Sequence, residues 1–144
     1  MSAFICNDKT INRILSFLYW NKDDFLRSDI NRSLAKVGFS VRNEEEIKKL
    51  GNAIRELNFK SIGERYGKDQ EKNDREFFKG FNYEDEKCSI EQAYQHLRCL
   101  TYQCCEGKCD EDPLYLVLQE LENSLAHSIA VRETEKLNCE WEAE

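Results

Sequence analysis

The last third of the chain carries two long helical patterns, and each begins with its own start signal. Ser89 and Gln92 form a capping box, in which each residue satisfies a backbone donor of the other. Asp112 precedes Pro113, and proline is favoured at a first helical position because it has no N–H to leave unpaired. Apolar residues then recur every three or four positions: Ile90, Ala93, Tyr94, Leu97 and Cys104, then Leu114, Leu118, Leu121, Leu125 and Ile129. Because only about six residues connect the two patterns, the sequence predicts an antiparallel C-terminal helix hairpin.

Helix-breaking residues are scarce in the rest of the chain as well. The 144 residues include one proline and six glycines, and 34% of the residues are charged. This balance favours helices joined by short polar loops, and the length suffices for one hydrophobic core. We therefore predict a mainly α fold, a bundle of four or five helices, with residues 1–138 as a single domain and 139–144 as a frayed polar tail.

Two further helical regions are predicted in the first half of the chain. Residues 8–20 carry apolar side chains on one helical face, and a shorter helical piece is expected at 30–36. Asn43 is placed to cap a helix that continues through residue 57, because three glutamates follow it at the positive end of the helix dipole. A second short helix should follow and end at Gly67.

A small β element is predicted from two short segments. Residues 37–41 read VGFSV and residues 76–83 read EFFKGFNY, and in both the large apolar side chains alternate as they do in strands. The polar residues 68–74 between the helices and the second segment are expected to form a loop. The aromatic side chains of 76–83 suit core packing or a docking surface.

Charge is distributed unevenly along the chain. Residues 1–72 hold 14 Lys and Arg against 11 Asp and Glu, whereas residues 73–144 hold 7 against 17. The acidic half should repel nucleic acid and anionic membranes and attract a basic protein surface, although a plain solvated face is the alternative. The candidate binding residues are the acids clustered in that half: Glu84, Asp85, Glu86, Asp110, Glu111 and Asp112.

Seven cysteines without regular spacing indicate reduced thiols and a cytoplasmic protein. The N-terminal residues lack the unbroken apolar stretch of a signal peptide, and no segment reaches the roughly 20 apolar residues of a membrane span. Four cysteines are concentrated between Cys99 and Cys109, but on a helix Cys99 and Cys104 point in opposite directions. A zinc site that uses Cys105, Cys109 and His127 is therefore an alternative, and a structural role for the thiols is favoured.

The sequence shows no catalytic constellation, so we expect a protein that is not an enzyme and that needs no cofactor. Cys104 and Cys105 fall at a helix C-terminus, where the dipole disfavours a thiolate. Glycine-rich phosphate loops are absent, and the carboxylates occur in runs typical of solvated faces. A hydrolase or transferase would require a concave pocket with a perturbed carboxyl or thiol group.

Both ends of the chain carry recognisable segments. The start reads MSAFI and continues to TINRI, and later CLTYQCCEG is followed by a helix that begins with PLY. In these segments the chain resembles a family of short uncharacterised proteins from bacterial genomes and mobile elements. That family carries no assigned activity, so the resemblance implies no catalytic residues.

These observations together predict a small acidic interaction protein of phage or mobile-element type. It would bind a host or defence protein, as an inhibitor of a nuclease system in the manner of anti-CRISPR proteins, with the acidic residues occupying a basic groove. The alternative is a regulatory module stabilised by zinc.

Overall fold

The structure of the chain is a computed structural model. The part of the chain that it describes contains six α-helices and no strand. The described residues are 8–78, 80–81, 88–106 and 112–142, with side chains at 9–78, 80–81, 88–104 and 112–137. The mainly α prediction is confirmed, with more helices than the four or five expected. The helices are α1 (Asp8–Trp20), α2 (Asp24–Ala35), α3 (Glu44–Tyr66), α4 (Lys68–Glu76), α5 (Ile90–Glu106) and α6 (Pro113–Glu142).

The predicted C-terminal hairpin is present, with its capping groups in place. The Ser89 amide donates to Gln92 Oε1 over 3.1 Å, and the Gln92 amide donates to Ser89 Oγ over 3.2 Å. Asp112 Oδ1 accepts a hydrogen bond from the Leu114 amide at 2.9 Å. Midway along the pair, Thr101 Oγ1 lies 3.1 Å from Glu122 Oε1, as expected for antiparallel helices. Helix α6 extends to Glu142, and the domain boundary at residue 138 stays a prediction.

One apolar core joins α1, α2, α3, α5 and α6. The predicted stripes supply it, and their central members are completely or almost completely buried. Burial of aliphatic side chains on this scale is the main force that holds such helices together, because each contributes about 1.5–3 kcal/mol. The largest buried side chains are Ile11, Ile14, Leu15, Leu18, Ile30, Leu34, Ile47, Leu50, Ile54, Ile62, Leu97 and Leu100.

The strand predicted at residues 37–41 is wrong, because this segment closes the end of α2. The amides of Val37 and Phe39 both donate to the Leu34 carbonyl at 3.0 Å, and Gly38 adopts a positive φ of 80°. The Val41 amide donates to the side chain of Asn31 at 2.9 Å. These donors are satisfied within the α2 terminus, so none remains for a neighbouring strand. The helix itself begins earlier than expected, at Asp24, where Asp23 accepts from the Leu26 amide.

The middle of the chain also differs from the expectation. Helix α3 is continuous from Glu44 to Tyr66, and the segment predicted as a polar loop forms α4. Gly67, with φ 96°, separates the two helices, as its predicted role as a helix stop requires.

The second predicted strand, 76–83, is wrong in its described part. Glu76 ends α4, and the residues at 77–78 and 80–81 form no regular structure. Asn12 Nδ2 donates to the Gly80 carbonyl at 3.2 Å, and the Phe81 ring lies against Gly51 of α3. A Cβ at position 51 would come within 2.7 Å of that ring. This segment is held by tertiary contacts, which a two-residue alternation does not reveal.

A buried polar contact joins the second half of α3 to the end of α5. Gln103 Nε2 donates to Asn58 Oδ1, and Ser61 Oγ donates to the Gln103 carbonyl at 2.8 Å. All three residues are at most 2% exposed. Buried polar groups require such partners, so the contact restricts how α5 can slide along α3.

No helix in the described ranges is both long enough and apolar enough to cross a membrane.

Candidate functional site: a groove at the start of helix α6

A groove with a volume of about 590 Å³ lies where the start of α6 meets α3, α4 and the turn after α2. Its floor is apolar, and Leu57 and Leu114 are nearly buried there. Val37 and Phe39 from the turn after α2 are half-buried and extend the floor. The remaining apolar residues in the lining are Ala53 and Pro113. The groove exists because the residues expected to form a strand instead fold back beside the core.

Charged side chains form the rim of the groove: Glu56, Lys60, Glu71, Arg75 and Asp112. Arg75 links the two glutamates, since its Nη1 lies 2.9 Å from Glu56 Oε1 and its Nε lies 3.3 Å from Glu71 Oε2. The hydrogen bond to Glu56 is the largest cause of the raised pKa of Arg75, so the guanidinium keeps its charge. The guanidinium also lies 4.7 Å from the centroid of the Phe59 ring.

Gly63 determines where the Glu71 carboxylate lies. A Cβ at position 63 would clash with Glu71 Oε1, so only glycine allows this carboxylate to lie against α3. The other oxygen of Glu71 then faces Arg75. The glycine thus acts on the shape of the rim without contributing a charge.

Asp112 is the one predicted binding residue that the structure describes. It lies on the rim of the groove, where Oδ1 caps α6 through the Leu114 amide. No donor among the described residues bonds to its Oδ2. The other five predicted binding residues, Glu84, Asp85, Glu86, Asp110 and Glu111, lie outside the described residues.

Sequence reasoning did not identify Glu56, Glu71 and Arg75 as site residues. A signal was present, because Glu71 and Arg75 are an acid–base pair at i, i+4, which favours a helix over the loop that was predicted. The contact from Arg75 to Glu56 joins positions nineteen residues apart, and no local pattern indicates it.

A second concave surface of about 520 Å³ lies between α5 and α6, lined in part by Cys99, Tyr102, Tyr115 and Glu122. Its lining combines aromatic rings with several polar side chains. Burial raises the pKa of the Cys99 thiol, which makes a thiolate nucleophile less available at neutral pH. His96, three residues earlier, accepts a hydrogen bond from Arg13 Nη1 at 3.2 Å. This surface therefore lacks the low-pKa thiol of a nucleophilic enzyme, and the non-enzyme expectation stays a prediction.

The hairpin separates the helix positions of Cys105 and His127, two residues of the zinc alternative. Thr101 meets Glu122, so Cys105 lies level with Leu118 on α6. His127 is exposed and nine residues further along, an axial separation of about 13 Å at the helical rise. Zinc ligands must converge to about 2.0–2.3 Å from one ion. Within the described ranges no three metal-ligating side chains form a cluster. Cys109 and the Cys105 side chain lie outside those ranges, so this alternative stays a prediction.

Comparison with family models, curated proteins and solved structures finds no match to this chain. The resemblance to short mobile-element proteins therefore stays a prediction.

Proposed function

We propose that this chain is a non-enzymatic interaction protein that binds a basic surface of a partner protein. Its docking site is the groove at the start of α6. On the resemblance of its ends, it is a product of a phage or mobile element, and it inhibits a host defence protein, most directly a nuclease system.

The observation that carries the proposal is the position of Asp112. The groove combines an apolar floor with carboxylates on its rim, and Asp112 links it to the acidic residues Asp110 and Glu111 that precede α6. Protein interfaces pair an apolar centre with a polar rim in the same way. Carboxylates around such a floor favour basic partners and speed their encounter.

The charge of the whole chain supports the same partner chemistry. The protein carries a net charge of −7, and the acidic second half contains the start of α6. An acidic protein is repelled by nucleic acid, so its natural counterpart in a nuclease system is the basic groove that holds the nucleic acid.

Affinity purification from a bacterial host, followed by binding measurements with the purified partner, tests the proposal. The triple variant D110N/E111Q/D112N removes the charge of Asp112 on the groove rim and the charges of the two acidic residues that precede it in the sequence, and Asn at position 112 still caps the helix. We expect the partner to bind this variant about tenfold more weakly at low salt, with a smaller dependence on salt concentration.

The control is E133Q/E135Q, which removes two exposed carboxylates near the other end of α6. These positions lie about 30 Å from Asp112 at the helical rise, so partner binding should be unchanged. Equal loss in both variants would indicate only a general charge effect. Unchanged binding of the triple variant would remove the groove from the proposal.

A further inference from the structure

We infer that the groove at the start of α6 takes a helical segment of the partner that presents aliphatic side chains flanked by arginine. This inference rests on the proposed function and specifies the chemistry of its partner. The aliphatic side chains would cover the groove floor, and the arginines would bond to the outer oxygens of Glu56 and Asp112.

The carboxylates of the rim have unused acceptor capacity. Glu56 contacts Arg75 through Oε1 alone, and Asp112 contacts α6 through Oδ1 alone. Within the described part of the chain, no donor reaches Glu56 Oε2 or Asp112 Oδ2. A carboxylate has two oxygens and about four lone-pair positions, so each can accept an incoming guanidinium as well.

The rim of the groove already binds one guanidinium, which belongs to the protein itself. Arg75 is bonded by Glu56 and Glu71 and lies over the face of Phe59. Because Arg75 holds both glutamates in place, the partner does not have to order them, and less conformational entropy is lost on binding.

The architecture favours a helix as the occupant. A strand could add only to the edge of a sheet, and the described residues contain no strand. An amphipathic helix, in contrast, places side chains at i, i+4 and i+7 into a groove between helices. A groove of about 590 Å³ suits such a row of aliphatic side chains.

Lys60 supplies an internal test of the sign of the partner's charge. It lies one helical turn after Glu56 on α3 and lines the same groove, yet carries the opposite charge. An arginine-bearing occupant is attracted by Glu56 and repelled by Lys60. Single neutral substitutions at these two positions should therefore change its affinity in opposite directions.

The probes are two synthetic amidated helical peptides of about 14 residues with leucine at i, i+4 and i+7. In one peptide arginine follows each leucine, and in the other glutamate does. Titration of the isotope-labelled full chain by NMR should place shifts from the arginine peptide at Val37, Ala53 and Leu57. The glutamate peptide should bind at least about fivefold more weakly.

For the arginine peptide, Glu56→Gln should weaken binding and Lys60→Gln should strengthen it, each by about two- to fivefold. Gly63→Ala displaces the Glu71 carboxylate without changing any charge. Because Glu71 helps to position Arg75, which in turn holds Glu56, this variant should weaken binding by a similar factor. Ala53→Phe, which fills the floor, should abolish it. Circular dichroism of each variant verifies that the helices are retained.

Equal binding of the two peptides, shifts outside the groove, or the absence of saturable binding would overturn the inference. So would parallel changes in Glu56→Gln and Lys60→Gln. The proposed function fails by a separate result, namely unchanged affinity of the purified partner for D110N/E111Q/D112N. A partner that depends on those acids but not on Glu56 and Lys60 would leave the proposed function standing without this inference.

Discussion

The two helical hairpins of the molecule are held together by different forces. Helices α5 and α6 pack through buried aliphatic side chains, among them Leu97 and Leu118 at 0% exposure. Helix α4 contributes no buried residue to its pairing with α3. It is attached instead by Arg75, which contacts Glu56 and Phe59 of α3. Apolar burial contributes much and is not screened by salt, whereas exposed ion pairs contribute little and are screened. The groove is built where the two kinds of pairing meet.

The largest effect is expected in the apolar hairpin. Leu118→Ala should lower the free energy of unfolding by about 2–5 kcal/mol, because it removes a fully buried side chain and leaves a cavity. Urea denaturation measures this loss. Leu116→Ala, two residues away and 49% exposed, is the control and should cost less than about 0.5 kcal/mol. Similar losses in both would contradict the assigned packing of α6.

Substitution of two glycines of α3 distinguishes the half of this helix that packs in the core from the half that lies beside α4. Gly51→Ala should lower the free energy of unfolding by about 1–3 kcal/mol, since the new Cβ meets Leu15 and Phe81 at 2.6 and 2.7 Å. Gly63→Ala meets only the movable end of Glu71, so the better helix propensity of alanine should raise stability by up to about 1 kcal/mol. Thermal denaturation followed by circular dichroism compares the two, and the same sign in both would refute this distinction.

The polar contact between α3 and α5 should respond to substitution differently from either hairpin, because the effects of its two partners on the free energy of unfolding are coupled. Gln103→Leu removes the donor to buried Asn58 Oδ1 and should cost about 1–3 kcal/mol of unfolding free energy. The Ser61 bond is retained because its acceptor is the main-chain carbonyl of residue 103. The double variant N58L/Q103L should recover part of the loss, because the unsatisfied Asn58 Oδ1 is then removed as well. Additive losses in chemical denaturation would speak against a coupled pair.

The start of α6 carries a smaller and more local contribution. Asp112→Ala removes the acceptor of the Leu114 amide and should cost about 1 kcal/mol of unfolding free energy. Asp112→Asn keeps an oxygen at that position and should retain nearly all of the stability. Equal destabilisation by the two substitutions would mean that the charge, and not the cap, matters to folding.

The smallest effect belongs to the charged hairpin. Arg75→Gln should lower the free energy of unfolding by less than about 1 kcal/mol, because its partners Glu56 and Glu71 are partly exposed. The difference from the unsubstituted protein should shrink further in about 1 M salt, where the Debye length is near 3 Å. A loss above that of Gly51→Ala, independent of salt, would show that α4 is held by more than this ion pair.

Local patterns predicted the elements whose signals are contained within a few residues. The capping box at Ser89 and the Asp112–Pro113 start are such signals, and the structure confirms both. The predicted strands failed because alternation in VGFSV and EFFKGFNY cannot report where backbone donors are satisfied. The amides of Val37 and Phe39 bond to the end of α2, and Gly80 bonds to Asn12 of α1.

The candidate site also contains one part that the sequence indicated and one part that only the fold brings together. Asp112 could be selected from the sequence because it is an acid at a helix start. Its position beside Glu56 and Arg75 depends on three helices and one turn that are distant in the chain.

The sequence by itself determined the class of the fold, the apolar stripes and the starts of the two C-terminal helices, because helix periodicity and capping act over three or four residues. Only the tertiary structure decided that α4 lies against α3 and that residues 37–41 line a groove. Those outcomes depend on contacts between separate parts of the chain, such as the contact of Arg75 with Glu56 nineteen residues away and the position of Val37 and Phe39 beside Leu114.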